Sequence, residues 1–210
     1  MYAVNLSKIE LEITSDCNAA CPGCARTQFE GLYSINYITI NDIKQMFPSE
    51  QAIKDKEFKF CGVLGDPALN IDCLEMVDYL SSKGGYCELS TNGGIQRAEW
   101  WRQLGVIATK RPGLVHVHFC VDGYKDTNHI YRVNTVYKVV DRNMQAFSDA
   151  APAKHATWIY IVFDHNEQEL PLAEKRAKEL NFKFATRTGM RNSFNDWVAQ
   201  IRKKKEKNEQ

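Results

Sequence analysis

The sequence predicts an α/β protein with parallel strands, because six segments of strand character alternate with segments of helical period along 210 residues. Hydrophobic residues make up 44% of the chain and charged residues 25%, which are proportions of a globular domain. Strands that alternate with helices pair in parallel through right-handed crossovers. The chain is therefore expected to form either an open doubly wound sheet or a barrel-like β/α array. Both architectures bind ligands at the carboxyl ends of their strands.

The strand predictions follow from short segments in which polar and apolar residues alternate. Residues 8–14 read Lys-Ile-Glu-Leu-Glu-Ile-Thr and place every second side chain on the same face. The segment 156–163, Ala-Thr-Trp-Ile-Tyr-Ile-Val-Phe, is the clearest strand in the chain. Further strands are expected at 57–64, 86–90, 114–121 and 182–186.

The helix predictions follow from apolar residues that recur at helical spacing between these strands. The helix at 39–47 begins at Thr39 or Asn41, both of which are capping residue types, and Pro48 follows its end. The helix at 70–83 ends where two glycines follow it. Further helices are expected at 97–109, 128–149 and 167–180, with a last one from about residue 193.

The charge balance and the apolar segments exclude several classes of protein. The chain has 27 Lys and Arg against 26 Asp and Glu. Because it lacks the excess positive charge that binds phosphates, no nucleic-acid partner is expected. It has no apolar stretch of about 18 residues, so no membrane partner is expected. Its first residues lack a basic segment followed by an apolar one, which is the pattern of a secretory signal. We therefore expect a cytoplasmic protein.

Three of the seven cysteines lie within eight residues, immediately after the first predicted strand: Cys17, Cys21 and Cys24. An odd number of cysteines in a reducing compartment does not indicate a disulfide framework. Thiolates favour zinc or an iron–sulfur cluster. Structural zinc takes four ligands, and here the fourth would be distant, such as Cys61 or His118. Three thiolates on a four-iron cluster would leave one iron open to a substrate or cofactor.

This CxxxCxxC segment resembles the signature of the radical S-adenosylmethionine (SAM) enzymes. The resemblance implies a partial (β/α)6 barrel of parallel strands in which Cys17, Cys21 and Cys24 hold a [4Fe-4S] cluster. It further implies that SAM binds the open iron and is cleaved reductively to a 5′-deoxyadenosyl radical, which abstracts hydrogen from a substrate. The electron would come from an external donor of flavodoxin or ferredoxin type. The core domain would span residues 1–190, and residues 191–210 would form a C-terminal helix and charged tail.

Later segments resemble further motifs of the same family in matching order. Gly65-Asp66-Pro67 resembles the Gly-Gly-Glu-Pro motif, whose backbone holds the amino group of SAM, with Asp in place of Glu. Ser90-Thr-Asn-Gly resembles Thr-Asn-Gly, and Cys120-Val-Asp-Gly resembles Ser-x-Asp-Gly with Cys in place of Ser. The resemblance implies SAM contacts at Gly65, Asp66, Pro67, Ser90, Asn92, Cys120, Asp122, Arg132 and Asn166. It assigns no catalytic residue.

The substrate implied by this resemblance is a peptide or protein. Pro22-Gly23, before the third cysteine, is the variant associated with peptide- and protein-modifying members. No cysteine follows Cys120, so an auxiliary-cluster domain is not expected, as in compact, phage-like members. The alternatives within this chemistry are an enzyme acting on a small molecule of nucleoside or deazapurine type, and a glycyl-radical activating enzyme. A non-catalytic iron–sulfur or zinc protein is the alternative from a different class.

Overall fold

The computed structural model describes residues 6–60, 64–151 and 154–188. Its centre is a six-stranded sheet in which every neighbouring pair of strands is parallel and the strand order follows the chain. The strands are β1 (Lys8–Glu10), β2 (Glu57–Phe60), β3 (Tyr86–Thr91), β4 (Val115–Cys120), β5 (Ala156–Ile161) and β6 (Lys183–Arg187). A strand order without a reversal excludes the doubly wound topology, and the sheet does not close. The predicted partial (β/α)6 barrel of parallel strands is confirmed.

Eight α-helices in the described ranges connect or flank these strands. They are α1 (Ala25–Gln28), α2 (Ile40–Met46), α3 (Glu50–Ile53), α4 (Cys73–Ser82), α5 (Ala98–Lys110), α6 (Asn128–Tyr131), α7 (Tyr137–Ala150) and α8 (Leu170–Glu179). Short 3-10 turns lie at Pro67–Leu69 and Glu167–Glu169. None of the described helices is long and apolar enough to cross a membrane. The helix predicted from residue 193 lies outside the described residues, as does the tail at 191–210.

Two elements differ from the sequence prediction. The first strand is described over Lys8–Glu10 and not over 8–14, and beyond it the backbone of Ile13 and Thr14 pairs with residues 38 and 37. The helical signal over 128–149 belongs to two helices, α6 and α7. Between them the backbone of Asn134 is left-handed, with φ of 69°. Asn tolerates this conformation better than most residues, and it interrupts a helix.

One face of the sheet packs on the helices and forms the core. Along β3 and β4 every second side chain is buried on this face, including Leu89, Val117 and Phe119. Gly105 lets α5 and α7 meet closely, since a Cβ there would lie 2.8 Å from the Phe147 carbonyl oxygen. All six residues of β5 are buried, as the continuous apolar segment predicts for a strand covered on both faces.

The other face of the sheet is more polar, and it leads to the candidate site. On β3 and β4 the alternating residues Glu88 and Ser90, and His118 and Cys120, are only partly buried. Since all strands are parallel, their carboxyl ends and the loops that follow them collect at a single edge. The CxxxCxxC segment follows β1 by seven residues, so it too lies at that edge.

Candidate functional site

A cavity of about 250 Å³ lies at the carboxyl ends of the strands. All three cysteines of the CxxxCxxC segment line it. Six of the nine residues predicted to contact SAM also line it: Gly65, Asp66, Ser90, Asn92, Cys120 and Arg132. The structure thus brings together segments that lie more than 100 residues apart in the chain. Their joint placement is the strongest feature of the site.

Hydrogen-bond donors approach the sulfur atoms of Cys17 and Cys21. The Ala19 amide donates to Cys17 Sγ at 3.4 Å, and Asn92 Nδ2 lies 3.8 Å from the same sulfur. Arg132 Nη1 lies 3.7 Å from Cys21 Sγ. Burial raises the pKa of Cys17 to about 12 and also raises the pKa of Cys21, which Arg132 opposes. Both groups are therefore thiols at neutral pH, and a metal centre that binds them must displace their protons.

Cysteine thiols are the residue type that holds a [4Fe-4S] cluster, and the assignment of one to Cys17, Cys21 and Cys24 stays a prediction. Within residues 6–60, 64–151 and 154–188, no three His, Cys, Asp or Glu side chains converge as one metal ion would require. A [4Fe-4S] cluster is held by cysteine thiolates, each bound to a different iron atom, so its ligands surround the cluster and do not converge on one metal ion. Hydrogen bonds to the sulfur atoms are one of the means by which proteins set the reduction potential of such clusters. Donors of this kind lie near the sulfur atoms of Cys17 and Cys21.

Arg132 is held at the cavity wall by a buried ion pair. Its Nε donates to Asp122 Oδ2 at 2.6 Å, and the Asp122 side chain is fully buried. The other Asp122 oxygen accepts the Ile161 amide at 2.6 Å. Burial alone would lower the pKa of Arg132, but the neighbouring Asp122 and the thiols raise it well above its ordinary value. Arg132 is therefore a permanent positive charge beside Cys21, and Asp122 orients it without lining the cavity itself.

The Asp66 carboxylate is occupied by hydrogen bonds within the protein. It accepts from the Thr91 hydroxyl at 2.9 Å and from both the backbone and the side-chain amide of Asn92 at 2.8 Å. It also accepts the Ala68 amide at 3.1 Å, which caps the 3-10 turn that follows. These bonds tie the loop after β2 to the end of β3. Asn92 completes the connection, since its Nδ2 also donates to Asn18 Oδ1 at 2.8 Å.

The backbone at Gly65 passes too close to the segment after β1 for any side chain. A Cβ there would lie 1.8 Å from the Thr14 carbonyl oxygen. The Gly65 amide donates to Glu12 Oε1 at 2.8 Å, and the Asp66 amide donates to the Asp16 carbonyl at 2.8 Å. Sequence reasoning missed Glu12 and Asn18, although the period-two pattern of 8–14 places Glu12 on the polar face.

Three of the predicted contacts lie outside the described lining of the cavity: Pro67, Asp122 and Asn166. Asn166 is fully buried, and its Nδ2 donates to the carbonyls of Asp122 and Ile161, each at 2.9 Å. Its Oδ1 accepts the Phe163 amide. Asn166 thus fastens the end of β4 to the end of β5. Contacts between SAM and all nine residues, whether or not they line the cavity, stay predictions.

An apolar cluster surrounds the cysteine loop. Tyr131 and Phe163 pack with their ring centroids 4.6 Å apart, and both contact the cluster that contains Cys21. Tyr131 lines the cavity and is 2% exposed. Sequence reasoning did not assign Tyr131 to the site. Its aromatic character and its position shortly after the fourth predicted strand were the available signals.

The fold and the site define an open parallel β/α protein with a thiol-lined cavity at its strand ends. Crystal structures of Streptococcus suis SuiB share this fold: the structure bound to S-adenosylmethionine has a TM-score of 0.66 at 11% identity. The structure bound to the precursor peptide SuiA has a TM-score of 0.67 at 10% identity. Both alignments cover 96% of this chain, which spans about half of SuiB, 48% and 47% respectively. No protein-family profile and no curated protein sequence matches this chain.

Proposed function

We propose that this chain is a radical SAM enzyme whose substrate is a peptide or protein. The observation that carries the proposal is the cavity itself, which unites the three thiols with the Gly65 backbone and the charged Arg132. Cys17, Cys21 and Cys24 would hold a [4Fe-4S] cluster, which supplies the electron for reductive cleavage of SAM to a 5′-deoxyadenosyl radical. The core would span residues 1–190, and its free thiols suit a reducing cytoplasm.

The residues of the chain would bind and orient SAM in complementary ways. Arg132 offers a fixed positive charge to the carboxylate of SAM, since Asp122 already satisfies its Nε and holds it in place. The loop at Gly65 brings main-chain polar groups to the cavity wall, and only glycine fits there. Ser90 and Cys120 line the same wall from neighbouring strands.

Two observations support a peptide or protein substrate. The fold is shared with a structure of SuiB that contains a precursor peptide, and the sheet of this chain is open. The open partial barrel would let an extended substrate peptide reach the polar face of the sheet. We expect the electron to come from a separate donor of flavodoxin or ferredoxin type, as in the family that the sequence resembles.

Anaerobic reconstitution with iron and sulfide tests the proposal. The wild-type chain should bind about four iron atoms and, with SAM and a reductant, release 5′-deoxyadenosine and methionine. Replacing Cys17, Cys21 or Cys24 by Ala should abolish both the iron absorbance and the cleavage. Cys73→Ala is the matched control, because Cys73 is fully buried and outside the described lining of the cavity.

Two outcomes would contradict the proposal in different ways. If the three single variants keep a full complement of iron, the ligand assignment is wrong. If the wild-type chain binds the cluster but never cleaves SAM, the chain is a non-catalytic iron–sulfur protein. Once cleavage is established, coupling to a small metabolite alone would favour the small-molecule alternative over a peptide substrate.

A further inference from the structure

Glu88 and His118 lie beside the cavity on the open face of the sheet. Ser90 and Cys120 line the cavity, and Glu88 and His118 precede them by two residues on the same strands. Residues two apart on a strand share a face and lie about 6–7 Å apart. The side chains of His118 and Glu88 are 21% and 16% exposed, so both are sheltered but accessible.

The two side chains contact each other in a defined orientation. His118 Nδ1 lies 3.4 Å from Glu88 Oε1. Burial lowers the pKa of His118 below its ordinary 6.5, so the imidazole is neutral at pH 7. The carboxylate favours the tautomer that carries its proton on Nδ1, and that tautomer leaves Nε2 as a hydrogen-bond acceptor.

The neighbouring groups hold this pair in place and set its electrostatic surroundings. His116 packs on His118 with ring centroids 5.2 Å apart, and its Nε2 lies 2.9 Å from Thr157 Oγ1. Two cations, Arg187 and Lys59, lower the pKa of His118, whereas Glu88 raises it. Lys59 itself pairs with Glu10 at 3.1 Å. Lys59 lies opposite Glu88 in the pairing of β2 with β3, and the exposed Arg187 is the other cation that acts on His118.

We propose that Glu88 and His118 form a subsite that binds a basic side chain of the substrate, an ammonium or guanidinium group. This inference rests on the proposed function, because it places the substrate on the open face beside the cavity. Glu88 presents one negative charge and carboxylate oxygens that accept hydrogen bonds, and His118 Nε2 is a further acceptor on the side of the ring away from Glu88. A cationic group that only donates hydrogen bonds is the complement of these acceptors. The basic side chain would thereby be anchored next to Ser90 and Cys120.

Ligand-detected saturation-transfer NMR on the reconstituted, anaerobic chain tests this subsite. The probe is N-acetyl-lysine-N-methylamide, with the norleucine and glutamate analogues as comparisons. The lysine probe should bind best, and Glu88→Gln should weaken its binding about tenfold, the loss of one charge-assisted hydrogen bond. Glu99→Gln is the matched control, because Glu99 is an exposed residue of α5 that pairs only with Arg102 among the described residues.

The results separate this inference from the proposed function. Equal binding of the lysine and norleucine probes, or unchanged binding by folded Glu88→Gln, would overturn the subsite. Preferential binding of the glutamate analogue would also overturn it and would assign the face to Arg187. His118→Gln provides a second variant, which should weaken binding as well. If wild-type protein cleaves SAM but ignores the lysine probe, the subsite fails and the proposed function stands. If the wild-type protein binds the lysine probe but never cleaves SAM, the subsite stands and the proposed function fails.

Discussion

Replacing Asp66 tests whether its carboxylate acts on the fold or on a cofactor. The side chain is 3% exposed and accepts hydrogen bonds from Ala68, Thr91 and Asn92. In Asp66→Ala these buried donors lose their acceptor, at about 1–3 kcal/mol for each unsatisfied group. Because partial relaxation makes such costs less than additive, we expect a loss of about 3–5 kcal/mol in the free energy of unfolding.

Asp66→Asn should be milder, and the difference is informative. Its amide oxygen can take the place of Oδ2, which accepts from the backbone and side chain of Asn92. Its amide nitrogen then faces the Ala68 amide, which donates to Oδ1 in the wild-type chain. The Ala68 amide loses its acceptor and faces a second donor, so the expected loss is about 1–3 kcal/mol after partial relaxation.

Urea unfolding followed by far-UV circular dichroism measures both losses. A double-mutant cycle with Thr91→Val should give a coupling energy of about 0.5–3 kcal/mol, because Thr91 donates directly to the Asp66 carboxylate. The reasoning is refuted if Asp66→Asn unfolds at the wild-type urea concentration while SAM binding is lost. That result would mean that the carboxylate serves the cofactor and not the loop.

Two other predictions follow from the same structure. Gly65→Ala should reduce stability by more than about 4 kcal/mol or abolish soluble expression, since a Cβ would lie 1.8 Å from the Thr14 oxygen. Gly113 has φ of 79° and open space around it, so Gly113→Ala should lower the free energy of unfolding by only about 1 kcal/mol. Equal losses for the Gly65 and Gly113 variants in urea unfolding would contradict this account. Burial, together with His118 and Lys183, lowers the pKa of His116 to about 4 from 6.5, so the folded chain resists its protonation. The free energy of unfolding should therefore fall as pH falls from about 6.5 to 4, and His116→Gln should make it depend less on pH in this range. If the variant shows the same pH dependence as wild type, His116 does not cause it.

The order of the elements was predictable because hydrophobic period is a local property. The pattern at 156–163 anticipated β5, and Thr39 was recognisable as a cap, which the structure confirms through reciprocal hydrogen bonds with Asp42. The end of β1 was not predictable in this way. The pairing of Ile13 and Thr14 with residues 38 and 37 depends on where the loop before α2 lies, and that is decided by tertiary contacts.

The assembly of the site was partly predictable for a similar reason. In a parallel β/α array every strand ends at the same edge, so Cys17, Ser90 and Cys120 had to approach one another. What each side chain does there was not accessible from spacing alone. Asn166 has the position of a cofactor contact in the sequence, yet its amide is bonded to the backbone of β4 and β5. Only the three-dimensional arrangement reveals which polar atoms are already satisfied.

Under the proposed function, this satisfaction of polar side chains would account for the departures of Gly65-Asp66-Pro67 and Cys120-Val-Asp-Gly from the motifs that they resemble. Three buried polar residues illustrate this: Asp66, Asp122 and Asn166. Their polar atoms form hydrogen bonds that connect the strand-end loops, and Asp122 also orients Arg132. Under the proposed function, SAM would therefore meet mainly the main chain of these loops together with the side chain of Arg132. A wall built from main-chain atoms tolerates a change from Glu to Asp, provided that the shorter carboxylate still reaches its donors, as Asp66 does at 2.8 Å from the Asn92 amide. Recognition of the cofactor then depends on loop rigidity, so variants that leave the lining intact but loosen these loops should lose SAM affinity as they lose stability.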